Sequence, residues 1–338
     1  MKKVILLIAL AVLSSGVRAS EEKQAALTIK SIASDDRNMP VEVYYWYPTD
    51  AKATNYVFGN GKVFAANEAN LNAPISLGKY PVVLLSHGGT RSSFFHTGWI
   101  ASALAESGYI VIAPKPPSAV EITPDLAVDE IAHRVSDLAL GFSHLDSIDM
   151  LRLSADKDKV SGVGFFLGGT SMLLLSGAKL SPSKYRASCD GDNTNVDCGW
   201  LAKNKVDITQ TSDHKVNQSK SINGMKSVVV INPELTSVFD ENTLKMITPA
   251  VTVIDLTARH HLALKPAKLI SAIPRLKLIK INTATEFSAF AVCTDQGTKI
   301  LAAEGEEVIC QEIGHQSRPQ NHQRIVTQVL AALTDSLE

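Results

Sequence analysis

Val160-Ser161-Gly162-Val163-Gly164-Phe165-Phe166-Leu167-Gly168-Gly169 is the stretch whose reading decides the fold. Apolar residues lead into a glycine-rich turn, and a second apolar stretch, Met172 to Leu175, follows it. The pattern predicts a buried strand, a tight turn and a helix. Glycines at 164 and 168 bracket one residue, Phe166. A chain that reverses from strand to helix in so few residues brings backbone segments close together, where a missing Cβ is an advantage.

Working outward, short apolar runs recur at Val82–Leu85, Tyr109–Ala113, Val160–Val163, Val228–Ile231, Val251–Ile254 and Leu276–Ile281. All but the last lack polar alternation, as expected of strands buried on both faces of a parallel sheet. Helical patterns lie between them. Trp99, Ile100, Ala103 and Leu104 share one face of a helix ended by Gly108. Val128, Ile131, Ala132, Val135, Leu138, Phe142 and Leu145 mark a longer helix. Ile325, Val326, Val329, Leu330 and Leu333 mark the last, with Pro319 near its start. Strand–helix alternation predicts an α/β sheet with helices on both faces. Val41-Glu42-Val43-Tyr44 alternates, so the sheet is expected to open with antiparallel strands. The polar segment 181–223 reads as an insertion, and no internal repeat is visible.

The chain of 338 residues carries a formal net charge of −1. With no basic excess to neutralise phosphates, nucleic-acid binding is excluded as a reading. Lys2 and Lys3, the apolar run Val4–Leu13 and the small-residue site Val17-Arg18-Ala19 read as a secretory signal peptide cut after Ala19. The mature part, residues 20–338, would keep 30 basic against 34 acidic residues, a charge of −4. No later apolar run approaches the roughly 18 residues of a membrane span. The protein is expected to be exported, periplasmic or secreted. Four cysteines in an exported chain read as disulfides, and Cys189–Cys198 with Cys293–Cys310 close the shortest loops. A metal site from Cys310, His315 and His322 fits no strong zinc spacing, and adjacent His260 and His261 on a strand would point to opposite faces. No metal and no cofactor are expected.

Ser86-His87-Gly88-Gly89 follows a buried strand, and its glycines would let backbone N–H groups approach a ligand. The turn at 164–168 has the spacing of the G-x-S-x-G nucleophile elbow. Together with Trp46-Tyr47-Pro48, Leu104-Ala105-Glu106-Ser107-Gly108-Tyr109, Arg134-Val135-Ser136-Asp137-Leu138, Pro233-Glu234-Leu235, Cys198-Gly199-Trp200, Cys293, Cys310 and Arg318 to His322, these pieces occur in a telling order. In that order the mature chain resembles the exported, dienelactone-hydrolase-like and platelet-activating-factor-acetylhydrolase-like branch of the α/β-hydrolase superfamily. The resemblance implies an α/β-hydrolase fold, mostly parallel sheet flanked by helices, with a disulfide-bearing insertion.

It also implies a serine at the elbow, an acid after the sixth strand and a histidine shortly before the cysteine matching Cys293. This chain departs at all three. Phe166 holds the serine position, Arg259 or His260 the acid position and Glu286 the histidine position. The family's Asp-His-Pro-Gly is replaced by Lys115-Pro116-Pro117-Ser118. Acyl transfer needs a nucleophile, a base and an orienting group. A degenerate triad is therefore expected, with no serine-esterase activity. Phe166 would plug or line the pocket. Glu286 would be a solvated carboxylate or pair with Arg259, His260 or Lys115. His87 reads as structural, and Phe94-Phe95 as core or pocket wall. His87, Gly88, Gly89, Lys115, Phe166, Leu167 and Glu286 are the pocket candidates. The expected partner is a small acyl or lipid-like ligand, or an exported protein. The alternatives are an ester or lactone hydrolase with a rearranged site and a surface-only interaction module. Ser86, Ser92 and Ser93 lie near the glycine loop, but none sits on an elbow.

Overall fold

The computed structural model describes residues 23–89, 92–118, 121–190, 197–217, 220–256 and 271–336. The proposed signal peptide and the acid position, Arg259 or His260, lie outside the described residues. Ten strands form one sheet: β1 (Gln24–Ile32), β2 (Val41–Thr49), β3 (Tyr56–Phe58), β4 (Asn67–Leu71), β5 (Tyr80–Ser86), β6 (Ile110–Lys115), β7 (Ala155–Phe165), β8 (Met225–Ile231), β9 (Ala250–Leu256) and β10 (Leu276–Ile281). Their order is β10-β9-β8-β7-β5-β6-β2-β1-β4-β3. From β10 to β6 every pairing is parallel. β2 pairs antiparallel with both β6 and β1, as the alternation at Val41–Tyr44 predicts.

The apolar runs lack alternation because two cores clothe the sheet. Val82 and Leu84 of β5 enter one core, beside Ile131, Val135 and Leu138 of helix α2 (Glu130–His144) and Met172 and Leu173 of α3 (Leu167–Leu175). Val83 and Leu85 enter the other, beside Ile100 and Leu104 of α1 (Gly98–Glu106) and Ile325 and Val329 of α4 (Arg318–Thr334). Successive side chains on a strand point to opposite faces, so both sets of positions are buried and mostly apolar, with the small polar residues Ser161, Ser227 and Thr252 among them. The exception is instructive. β10, Leu276-Lys277-Leu278-Ile279-Lys280-Ile281, ends the sheet with Lys277 and Lys280 exposed, a composition that discourages further strand pairing.

The helix expected from Val128 onward divides in two. Pro124–Val128 forms a separate short helix, and α2 starts at Glu130. Disulfides join Cys189 to Cys198 and Cys293 to Cys310. Among the described residues no helix is long and apolar enough to cross a membrane.

Candidate functional site

The turn after β7 sits at the carboxyl end of a central strand, where ligands of open α/β sheets bind. Phe166 lies at its tip with φ +52° and ψ −121°, a left-handed conformation costly for a bulky side chain. Four hydrogen bonds impose it. The Phe166 N–H donates to the Ile231 carbonyl at 2.9 Å, and its own carbonyl accepts from the N–H groups of Gly169 (2.9 Å), Thr170 (3.2 Å) and Glu234 (3.2 Å). The flanking glycines are required by close approach. A Cβ on Gly164 would stand 2.3 Å from the Gly168 carbonyl oxygen, and one on Gly168 would stand 2.3 Å from that of Ser86. The elbow backbone is intact, and the residue it presents carries no nucleophile.

The phenylalanine ring is only 5% exposed and belongs to the core on the α1 and α4 side. It meets Phe290 with ring centroids 6.1 Å apart and His87 at 5.8 Å. Half-buried Phe64, Phe287 and Phe290 continue the aromatic surface beside it.

Two loops flank the tip. The first follows β5, and its residues 87–89 are held from below by Arg134 of α2. Its guanidinium donates to the carbonyls of His87 (3.0 Å), Gly88 (2.8 Å) and Gly89 (3.1 Å). Arg134 is itself paired with Glu130 at 2.9 Å, and Arg37 joins Glu130 and Asp137 in the same buried network. Burial raises the Asp137 carboxyl to about 6 despite Arg37. A cavity of about 10 Å³ behind this loop, lined in part by Ser86, His87, Arg134 and Asp137, has room for about one water. The second loop follows β10, where Glu286 opens a turn over Glu286–Ala289.

Five side chains grip the backbone just after Glu286. Trp99 Nε1 and His87 Nε2 both donate to the Ala289 carbonyl, at 3.1 and 3.3 Å. His322 Nε2 donates to the Phe290 carbonyl at 2.9 Å, and His96 Nδ1 accepts from the Ala291 N–H at 3.1 Å. Arg318 donates to the Ala291 carbonyl at 3.2 Å. His96 stacks on Phe290 and His322 on Trp99. Burial holds all three imidazoles neutral, with His87 lowered to about 3, His322 to about 4 and His96 well below its usual value.

The chain matches no protein-family model and no curated protein. Among solved structures it is similar to a ferulic acid esterase from Streptomyces cinnamoneus, at 13% identity and a TM-score of 0.52, over 95% of this chain and 91% of that one. A further similarity is to Thermogutta terrifontis esterase 2 phosphorylated by paraoxon, at 12% identity and a TM-score of 0.44, over 84% of this chain and 91% of that one. The chain has an α/β-hydrolase fold.

Within this α/β-hydrolase fold three expectations are corrected. The Gly88 N–H does not face a ligand but donates to the Phe165 carbonyl at 3.1 Å, and Gly89 packs on Asp197, whose carboxylate oxygen would stand 2.3 Å from an added Cβ. Lys115 is not a partner of Glu286. It pairs with Glu42 at 2.7 Å, because the register of β2 against β6 sets those two residues opposite each other. Glu286 is not solvated, being 3% exposed. Leu167 opens α3 in the apolar core of the opposite sheet face. Phe94 packs on Tyr44 and Phe58, as a core wall would. The grip on residues 289–291 by His96, Trp99 and His322 was not legible in sequence, since His96 and Trp99 lie about 190 residues before that stretch and His322 lies 32 residues after Phe290. His322 carried a signal only as a rejected metal ligand and as the last residue of one piece of the family pattern.

Proposed function

We propose that the chain is an exported, catalytically degenerate member of the dienelactone-hydrolase-like and platelet-activating-factor-acetylhydrolase-like branch, which holds a small acyl or lipid-like ligand without serine-esterase turnover. The observation that carries this reading is Phe166 at the tip of an otherwise intact elbow, buried in the aromatic core. Glu286 at the histidine position adds to it, since a carboxylate there has no elbow hydroxyl to deprotonate. Loss of nucleophile or base from such a triad costs about 10⁶ in kcat. The rings of Phe64, Phe287 and Phe290 supply apolar surface for an acyl chain. Export is supported by the two disulfides together with the leader-like first nineteen residues.

The test pairs turnover with binding. Steady-state hydrolysis of p-nitrophenyl butyrate by the mature protein should equal that of a Phe166→Ala variant, at buffer background. A panel of fatty acids and non-hydrolysable alkyl ethers should include a compound that raises Tm. At 100 times its Kd such a ligand contributes about 2.7 kcal/mol, several degrees for a chain of this size. Sustained turnover would refute the degenerate reading, and a panel without any protection would refute the ligand.

A further inference from the structure

Ser92 and His87 are placed together by more than proximity. Gly88, at φ +61°, has no side chain where Ser92 sits, and a Cβ there would lie 2.1 Å from both Ser92 Cβ and Oγ. The Ser92 N–H donates to the Gly89 carbonyl at 3.1 Å, and Ser92 sits over Gly88. Arg134 fixes the three carbonyls beneath. The outcome is a hydrogen bond of 3.2 Å between Ser92 Oγ and His87 Nδ1.

The tautomer follows from the opposite side of the ring. The Ala289 carbonyl can only accept, so the single proton of a neutral His87 sits on Nε2. Nδ1 is then a lone-pair acceptor, and Ser92 must donate to it. A hydroxyl, an imidazole in the accepting tautomer and a third group that orients the imidazole form the pattern of an activated nucleophile. Ser92 is half-buried, whereas the base beneath it is 6% exposed. The neighbouring Ser93 is occupied otherwise, capping the turn at Phe94–Thr97 by accepting from the Phe95 N–H.

We infer that Ser92 and His87 form a relocated nucleophile–base pair that accepts one acyl group from an activated ester, such as an aryl ester. Ser92 Oγ bonds to the ester carbonyl carbon as its proton passes to His87 Nδ1. The bond from that carbon to the aryl oxygen breaks, and the departing aryl oxide takes the proton from Nδ1. The products are acyl-Ser92 and a phenol, with no change of oxidation state. Burial makes His87 a weak base. A good leaving group tolerates that, but activation of water for deacylation does not, so acylation stops after one equivalent. This goes beyond ligand binding, and the two are read separately: thermal protection reports the pocket, covalent labelling reports Ser92.

The experiment exposes the purified mature protein to a fluorophosphonate probe and maps the adduct by tandem mass spectrometry. Ser92→Ala, His87→Gln and Ser93→Ala run beside it, with Tm as the check on folding. The expected result is one adduct on Ser92, absent from Ser92→Ala, retained in Ser93→Ala and formed at least tenfold more slowly in His87→Gln. p-Nitrophenyl acetate should then release about one equivalent of p-nitrophenol without sustained turnover. No adduct on the natural protein, or an adduct on any other residue, overturns the pair. That mapping decides the matter even if a variant does not fold.

Discussion

At the scale of single residues, Phe166 combines a conformation glycine would prefer with a side chain the core needs. Backbone strain of this kind costs on the order of 1–3 kcal/mol, and burying a phenylalanine ring returns about 1.5–3 kcal/mol. Phe166→Gly relieves the strain but leaves a cavity at least as large as alanine's, so its loss of unfolding free energy in urea should be smaller than that of Phe166→Ala by about the 1–3 kcal/mol of strain. Phe166→Ala keeps the strain and leaves a cavity, a loss of about 3–5 kcal/mol. Glycine should therefore be the milder substitution, the reverse of the usual order in regular structure. Equal losses would show that the +52° conformation carries no strain. Gly168→Ala is a sharper case. Its Cβ would face the Ser86 carbonyl oxygen at 2.3 Å, and neither backbone can yield without moving the elbow. A loss of at least about 3 kcal/mol is expected, at the upper end for overpacking, and circular-dichroism melts would register it.

Among the elements, α2 matters to the site as much as the elbow does. It carries Arg134, Glu130 and Asp137, and through them it joins the β1–β2 loop at Arg37 to the loop after β5. Arg134→Met would strip the donors from three buried carbonyls and unbalance a buried charge network, at a cost of about 3–5 kcal/mol. Arg186→Met removes a partly exposed pair with Asp213 and should cost no more than about 1 kcal/mol. If denaturant midpoints shift equally in the two variants, the clamp contributes nothing beyond a surface pair. Amide exchange around residues 87–89 should rise in Arg134→Met and stay unchanged in Arg186→Met. Arg134 stood in the sequence only as one piece of a family pattern. Its partners could not be read there, because they are carbonyls, and every residue has one.

Over the whole molecule, stability should fall on the acid side of neutrality. His87, His96 and His322 are held neutral in the folded protein, with His87 lowered to about 3 and His322 to about 4. In the unfolded chain they titrate near 6.5. Their contribution is thus complete above about pH 6.5 and is lost as pH falls toward the folded values. Asp137 acts in the opposite sense. Its carboxyl is raised to about 6 in the folded state, so the cost of keeping it ionised is relieved as pH falls through that value. Near pH 5 the unfolded chain binds three more protons at the histidines and about one fewer at Asp137. These four groups alone then give a slope on the order of 3 kcal/mol per pH unit. Urea unfolding at pH 7, 6 and 5 measures it, and His322→Gln should flatten it by about half, since it removes one of about two net protons. A flat profile would mean that water reaches the imidazoles.

The local chemistry of this chain was legible wherever one segment settled the matter. Apolar runs without alternation marked strands covered on both faces, and the polar alternation of Leu276–Ile281 set that run apart from them. Gly164 and Gly168 marked a turn too tight for a Cβ, and the cysteine spacing marked both disulfides. These features depend on period, backbone freedom and loop length, which are properties of consecutive residues. What only the tertiary structure decided were partners distant in sequence. Register gave Lys115 to Glu42 rather than Glu286. Crossovers on both faces of the sheet brought His87, His96, Trp99, Arg318 and His322 onto one three-residue stretch, and Arg134 onto the glycine loop. Such pairings are selected by burial, since a polar group taken from water must find a partner wherever the fold sets one.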